Sequence, residues 1–121
     1  MLILDSEIYQ TLSLICPTYQ GYIREWKNDL PCISFLCTNN SSARKLDGVE
    51  WSTYLNYKVD LFCDIDDDYI NFSGKVDDAM GSMGFKRESM TLVREDNADL
   101  THIMFYYSVY IDKDGFAWNS I

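Results

Sequence analysis

The sequence predicts an α+β domain, an antiparallel or mixed β-sheet with two helices packed on one of its faces. Three observations carry the prediction. Residues 51–64 alternate along their whole length, with Trp51, Thr53, Leu55, Tyr57, Val59, Leu61 and Cys63 on one parity. A period of two over such a length marks a half-buried strand. Residues 100–111 repeat the pattern, with Ile103, Phe105, Tyr107, Val109 and Ile111 alternating with His102, Met104, Tyr106, Ser108 and Tyr110. Between these two runs, Tyr69, Phe72, Val76, Met80 and Met83 recur at spacings of three and four with Ala79 alongside, which places them on one face of a helix.

From the N-terminus, Ile8, Leu12 and Ile15 stand at helical spacing within residues 5–15. Asp5 and Glu7 fall in the first turn, where negative charge complements the helix dipole. Pro17 stops this helix, because the residue before a proline avoids helical backbone. Residues 18–26, with Tyr22 and Trp26, read as a short strand or edge segment that Gly21 weakens. Residues 30–37 read as a buried strand opened by Pro31, whose missing N–H is tolerated at a first position.

Residues 38–50 read as one long loop. Thr38, Asn39, Asn40, Ser41 and Ser42 show no apolar period, the basic pair Arg44 and Lys45 follows, and Asp47 with Gly48 makes a turn. Hairpin connections usually take about two to five residues, so this segment either has a use or is mobile. Used, it offers local positive charge for docking onto an acidic partner. The second helix is expected from about Asp66 to about Met83, with Gly84 as the left-handed residue that commonly ends a helix. Gly74 and Gly81 each lower helix propensity by about 1 kcal/mol relative to alanine, so packing must hold it. Residues 85–94 read as a strand, 95–99 as a turn, and 112–118 as a turn followed by an aromatic anchor after the last long strand.

The 121 residues suit one domain, 1–121, and a 47% hydrophobic content argues against disorder over most of it. A net charge of −9 opposes gripping a phosphate backbone, which takes clustered Lys and Arg. The start Met1-Leu2-Ile3-Leu4 meets Asp5 and Glu7 at once, unlike an export signal, and no stretch approaches the ~20 apolar residues of a membrane span. A cytosolic chain is expected. Cys16, Cys32, Cys37 and Cys63 lack paired metal or redox spacing and read as reduced, mostly buried thiols.

Chemical motifs are sparse. Asp64, Asp66 and Asp68 match the first, third and fifth positions of a calcium loop, but Tyr69 replaces the glycine and Lys75 the closing glutamate. Capping and the helix dipole explain these acids. His102 would need a partner such as Cys63 or Ser108 to act in nucleophilic catalysis, and it sits inside a regular strand pattern. Gly74, Gly81 and Gly84 match no phosphate-binding fingerprint. The expectation is a non-enzyme with no catalytic, cofactor or metal residues. Its last strand, aromatic on the face opposite the core, packs under more of its own chain or meets another subunit.

Three segments carry a family resemblance: Leu30-Pro31-Cys32-Ile33-Ser34-Phe35 after a short helix, Tyr57-Lys58-Val59-Asp60-Leu61-Phe62 before an acidic helix start, and Met83-Gly84-Phe85-Lys86-Arg87 leading to a late aromatic strand that ends at Asp112. Together, across residues 5–112, the chain resembles the small tail-completion or tail-terminator proteins of long-tailed bacteriophages, particularly those of Gram-positive hosts. The resemblance implies a structural virion protein of the tail and neck, assembled in the host cytoplasm. Several copies, usually six, form a ring that caps the tail tube and joins it to the head connector. Its partners would be itself, the tail tube protein and the connector, with DNA passing through the lumen without specific binding. On this basis Met104, Tyr106 and Tyr110 would face a neighbouring subunit, while Asn39, Asn40, Arg44, Lys45 and Asp47 would form the loop that docks on tube or connector. The competing expectation is a monomeric acidic inhibitor or DNA mimic that fills a basic groove. It would need carboxylates spread along one face at phosphate spacing, whereas Asp64 to Asp68 form one cluster. A small hydrolase ranks third.

Overall fold

The structure, a computed structural model, describes residues 4–21, 30–46, 49–93, 100–112 and 117–118. For 42–46, 49–51 and 117–118 it describes the backbone. The elements run α1 (Asp5–Leu12), β1 (Thr18–Gln20), β2 (Cys32–Leu46), β3 (Val49–Asp64), α2 (Tyr69–Ser82), β4 (Lys86–Val93), β5 (Leu100–Asp112) and β6 (Ala117–Trp118). The fold is α+β. One sheet is ordered β1-β2-β3-β5-β4, and the two-residue β6 pairs with β5 beyond the end of β4. It is mixed, because β1 lies parallel to β2 while every other pairing is antiparallel.

The alternation of β3 and β5 has the predicted effect. Leu55, Tyr57, Val59, Leu61 and Cys63 of β3 join Ile103, Phe105, Tyr107, Val109 and Ile111 of β5 in one core, into which α1 places Ile8 and Leu12 and α2 places Val76 and Met80. Both helices therefore cover the same face. Burying each large apolar side chain contributes about 1.5–3 kcal/mol, which offsets the poor propensity of a helix that contains Gly74 and Gly81. Each helix is also tied to the sheet by a tyrosine. Tyr57 Oη donates to Asp5 Oδ1 of α1, and Tyr107 Oη donates to Asp77 Oδ1 of α2 at 2.9 Å. Asp5 thus does more than complement a dipole: it also accepts from Gln20 Nε2 of β1.

The ends of α2 follow their expected chemistry. Asp68 is the N-cap and accepts from the Asn71 N–H at 3.1 Å. At the other end Gly84 takes φ 93°, its N–H donates to the Gly81 carbonyl, and the Phe85 N–H donates to Met80. This pair of bonds is the Schellman closure. The first helix is shorter than its apolar spacing predicts, since regular helix stops at Leu12 and residues 13–16 form turns before Pro17.

Residues 38–46 and 49–50 are strand and not loop. The strands β2 and β3 are 15 and 16 residues long, and Asn39, Asn40, Ser41 and Ser42 pair with Asn56, Leu55, Tyr54 and Thr53. Register shifts between Cys37 and Asn39 and again on either side of Arg44 mark bulges. Polar residues on both faces of a strand leave no hydrophobic period to read, and here the backbone pairs along β3 regardless of side chain. Asp47 and Gly48, the expected turn, lie outside the described residues, as do Tyr22 and Trp26 and the turn at 95–99.

Candidate functional site

The face of the sheet opposite the helices carries Met104, Tyr106 and Tyr110 at alternate positions along β5. Tyr106 is 38% exposed, and Met104 and Tyr110 are half-buried. Across the ladder they stand opposite Asp60, Lys58 and Tyr54 of β3. The Tyr110 and Tyr54 rings lie 4.7 Å apart. Further along β3, Asn56 Nδ2 donates to Tyr54 Oη, and Asn39 Nδ2 donates to Asn56 Oδ1. Neighbouring side chains thus take up part of the aromatic surface that the sequence places here.

The expected docking residues do not join this row. Asn39 and Asn40 lie two strands away on β2, and the Asn40 side-chain oxygen is buried without a hydrogen-bond partner among the described residues. Arg44 pairs with Ser52 and Lys45 with Glu50 near the closed end of the β2–β3 hairpin.

His102 is buried on this face. Its Nε2 lies 2.7 Å from Asp60 Oδ1, its ring stacks on Phe62 at 4.3 Å, and Lys58 Nζ is 3.6 Å from the other Asp60 oxygen. Neither nucleophile weighed from the sequence meets it. Cys63 belongs to the core on the opposite face, and Ser108 donates its hydroxyl to Glu88 Oε1. The Asp60–His102 pair therefore binds β3 to β5 and is not arranged as a catalytic dyad with either candidate.

The acidic run is explained locally. Asp67 Oδ2 accepts from the Asp64 N–H at 2.7 Å, and Asp68 caps α2. Among the described residues no three His, Cys, Asp or Glu side chains are gathered so as to hold a metal ion, and no helix is long and apolar enough to cross a membrane. The four cysteines are free thiols, three buried and Cys37 half-buried. Burial pushes Cys16 and Cys63 up to about 12, with smaller contributions from Cys32 and Asp67 at Cys16 and from Asp67, Cys16 and Cys32 at Cys63. Neutral thiols of this kind are poor nucleophiles.

One feature lies where the sequence did not direct attention. Beyond the N-terminal half of α2 the helix-covered face opens into a groove of about 260 Å³, bounded by Tyr69, Ile70 and Gly74 on the helix and by Met90, Leu92 and Ile103 on the sheet. Open space lies where a Gly74 side chain would be. Arg87 Nη1 reaches Asp77 Oδ2 at 3.3 Å in the groove. Met90 and Leu92 share the parity of the core, being paired with Phe105 and Ile103, yet each is about half exposed. The usable signal was the Met90/Leu92 alternation itself. What the sequence could not convey is that α2 packs against β4 and β5 and still leaves Met90 and Leu92 about half exposed.

No protein-family model matches the chain, and no curated protein matches it.

Proposed function

We propose that this protein is a structural component of a virion. Several copies close into a ring that caps a phage tail tube and joins it to the head connector, with DNA passing through the lumen. The observation that carries this reading is the sheet face bearing Met104, Tyr106 and Tyr110, which packs against neither helix. An aromatic surface of this kind is characteristic of protein–protein interfaces. The two edges of the sheet are also unlike, β1 on one side and β4 on the other. A contact between unlike surfaces is heterologous, and it closes into a ring when the rotation per subunit allows. The charge of −9 suits a channel through which DNA slides without being held. Negative-stain imaging of tail tubes that lack their terminator, mixed with purified protein, tests the proposal. A ring on one end of each tube is expected for the wild type and its loss for Tyr106→Glu. Bare tubes beside a protein that stays monomeric at every concentration would remove the proposal.

A further inference from the structure

Strand β4 ends the sheet on its side among the described residues, where it pairs with β5 alone. Its residues from Lys86 to Leu92 are all exposed. An open strand edge presents a row of N–H and C=O groups whose complement is another extended backbone. Folded proteins guard such edges with proline, bulges or charges. The guards here stop early. Lys86, Arg87 and Glu88 are charged and the register shift lies between Arg87 and Ser89, whereas Ser89-Met90-Thr91-Leu92-Val93 is neutral and free of proline. Met90 is 49% exposed and Leu92 52%, and both line the groove beside α2 with Tyr69 and Ile70.

We propose that a second copy of the chain covers this edge, β4 pairing antiparallel with β4 of the other copy about a two-fold axis at Thr91. The strand's own residues select that occupant and that register. Residues directly opposite in an antiparallel pair share a face, so Met90 and Leu92 must meet groove-side residues of the second copy. An axis at Thr91 sets Met90 against Leu92 on the groove side, and on the other side sets Thr91 against itself and Ser89 against Val93. Every one of these pairs is neutral. An axis at Met90 would instead set the charged Glu88 against Leu92, and one at Leu92 would shorten the neutral overlap to residues 91–93. The flanks in the sequence agree in sign. Lys86-Arg87-Glu88 before this core holds two positive charges and one negative, and Arg94-Glu95-Asp96 after it holds one positive and two negative. Antiparallel order sets the first flank of one copy against the second flank of the other. The opposite edge is no match, since β1 spans only three residues.

Such an axis runs perpendicular to the sheet, so both copies of α2 lie on the same side of the joined sheet. Because α2 packs against β4, the two grooves adjoin in one trough, floored by Met90 and Leu92 and walled by Tyr69 and Ile70 of both copies. Each copy removes apolar surface of the other from water. The contact is isologous and closes at two subunits, so it cannot propagate into a filament. It goes beyond the ring reading and does not rest on it: it describes the free protein, whose two copies must part before β4 is open to any neighbour in a ring.

Sedimentation equilibrium of the purified protein is expected to give a dimer. Met90→Lys and Leu92→Glu, both at exposed positions, should each weaken it at least tenfold, about 1.4 kcal/mol. Mixing the two variants should restore association, because the register sets the new lysine of one against the new glutamate of the other. Oxidised Thr91→Cys should form a disulfide-linked dimer, since opposed Cα atoms lie about 4.5–5.5 Å apart, within disulfide reach, whereas Ser89→Cys should not. A wild type that is monomeric at every accessible concentration, an oligomer indifferent to both charged variants, mixing that restores nothing, or a Thr91→Cys protein that does not crosslink would overturn the pairing. So would β4 amides that exchange hydrogen quickly in the free protein and become protected only on tail tubes, an outcome that gives the edge to the tube protein. Rings on tubes built from a monomeric protein would overturn the dimer and leave the ring reading standing, while bare tubes beside a crosslinked dimer would do the reverse.

Discussion

On the helix-covered face of the sheet, Leu55, Tyr57, Val59, Leu61 and Cys63 have no exposure at all. On the reverse of the same strand, Tyr54, Asn56, Lys58, Asp60 and Phe62 are shielded by one another and by β5 through stacked rings, an ion pair and hydrogen bonds. One alternating strand is thus satisfied in two ways, by a roof of helices on one side and by side-chain ties on the other. The difference teaches that a ring-rich face need not be the barest apolar surface. Barer side chains sit at the margin of the covered face, where Met90 and Leu92 line a groove beside α2 and are each about half exposed.

The contrast breaks most sharply at two adjacent residues. Phe105→Ala, on the covered face, is expected to cost about 3–5 kcal/mol in urea unfolding, whereas Tyr106→Ala, on the reverse, should cost under about 1 kcal/mol. Equal losses would mean that the faces are not energetically distinct. The side-chain ties are tested next. Asp60→Ala leaves the buried His102 ring without its carboxylate and should cost roughly 1–3 kcal/mol. In a double-mutant cycle with His102→Ala the second loss should be much smaller than the first, and additive losses would show that the pair contributes no coupling.

The smallest effect, per pH unit, belongs to the thiols of the covered core. Cys16 and Cys63 are held neutral up to about 12 in the folded protein against an ordinary value of 9.0. Between those limits the unfolded chain has released protons that the folded chain retains, so stability is flat below the lower value from this source and falls as pH rises above it. The slope is at most about 1.4 kcal/mol per thiol per pH unit. Urea midpoints followed from neutral to alkaline pH, compared with those of Cys63→Ala, would reveal it. An unchanged slope in the variant would place the alkaline sensitivity elsewhere.

The parts of the fold legible in the sequence are those where one face is apolar. Leu55 to Cys63 and Ile103 to Ile111 declare their strands by alternation, Val76 and Met80 declare the buried side of α2, and Asp68 and Gly84 declare its ends. Residues 38–46 were illegible because strand periodicity reports burial, and a run such as Thr38-Asn39-Asn40-Ser41 keeps both faces polar while its backbone still pairs with β3. The short parallel strand β1 was legible only as an edge segment, since three residues give no period. Of the expected surface, the row Met104, Tyr106 and Tyr110 does lie together on one face, but its neighbours on β3, among them the Tyr54 ring 4.7 Å from that of Tyr110, are set by register. The groove depends on the lateral placement of α2, which no local pattern encodes.

The two tyrosine hydroxyls that reach Asp5 and Asp77 have a consequence for how the helices are oriented. Apolar contacts are non-directional, so a helix resting on a greasy sheet can roll or slip by a fraction of a turn at little cost. A carboxylate fixed to one helical position turns through about 100° with each residue of slip and would lose its phenol at once. The phenols rising from Tyr57 and Tyr107 therefore act as detents, selecting one rotational setting for each helix.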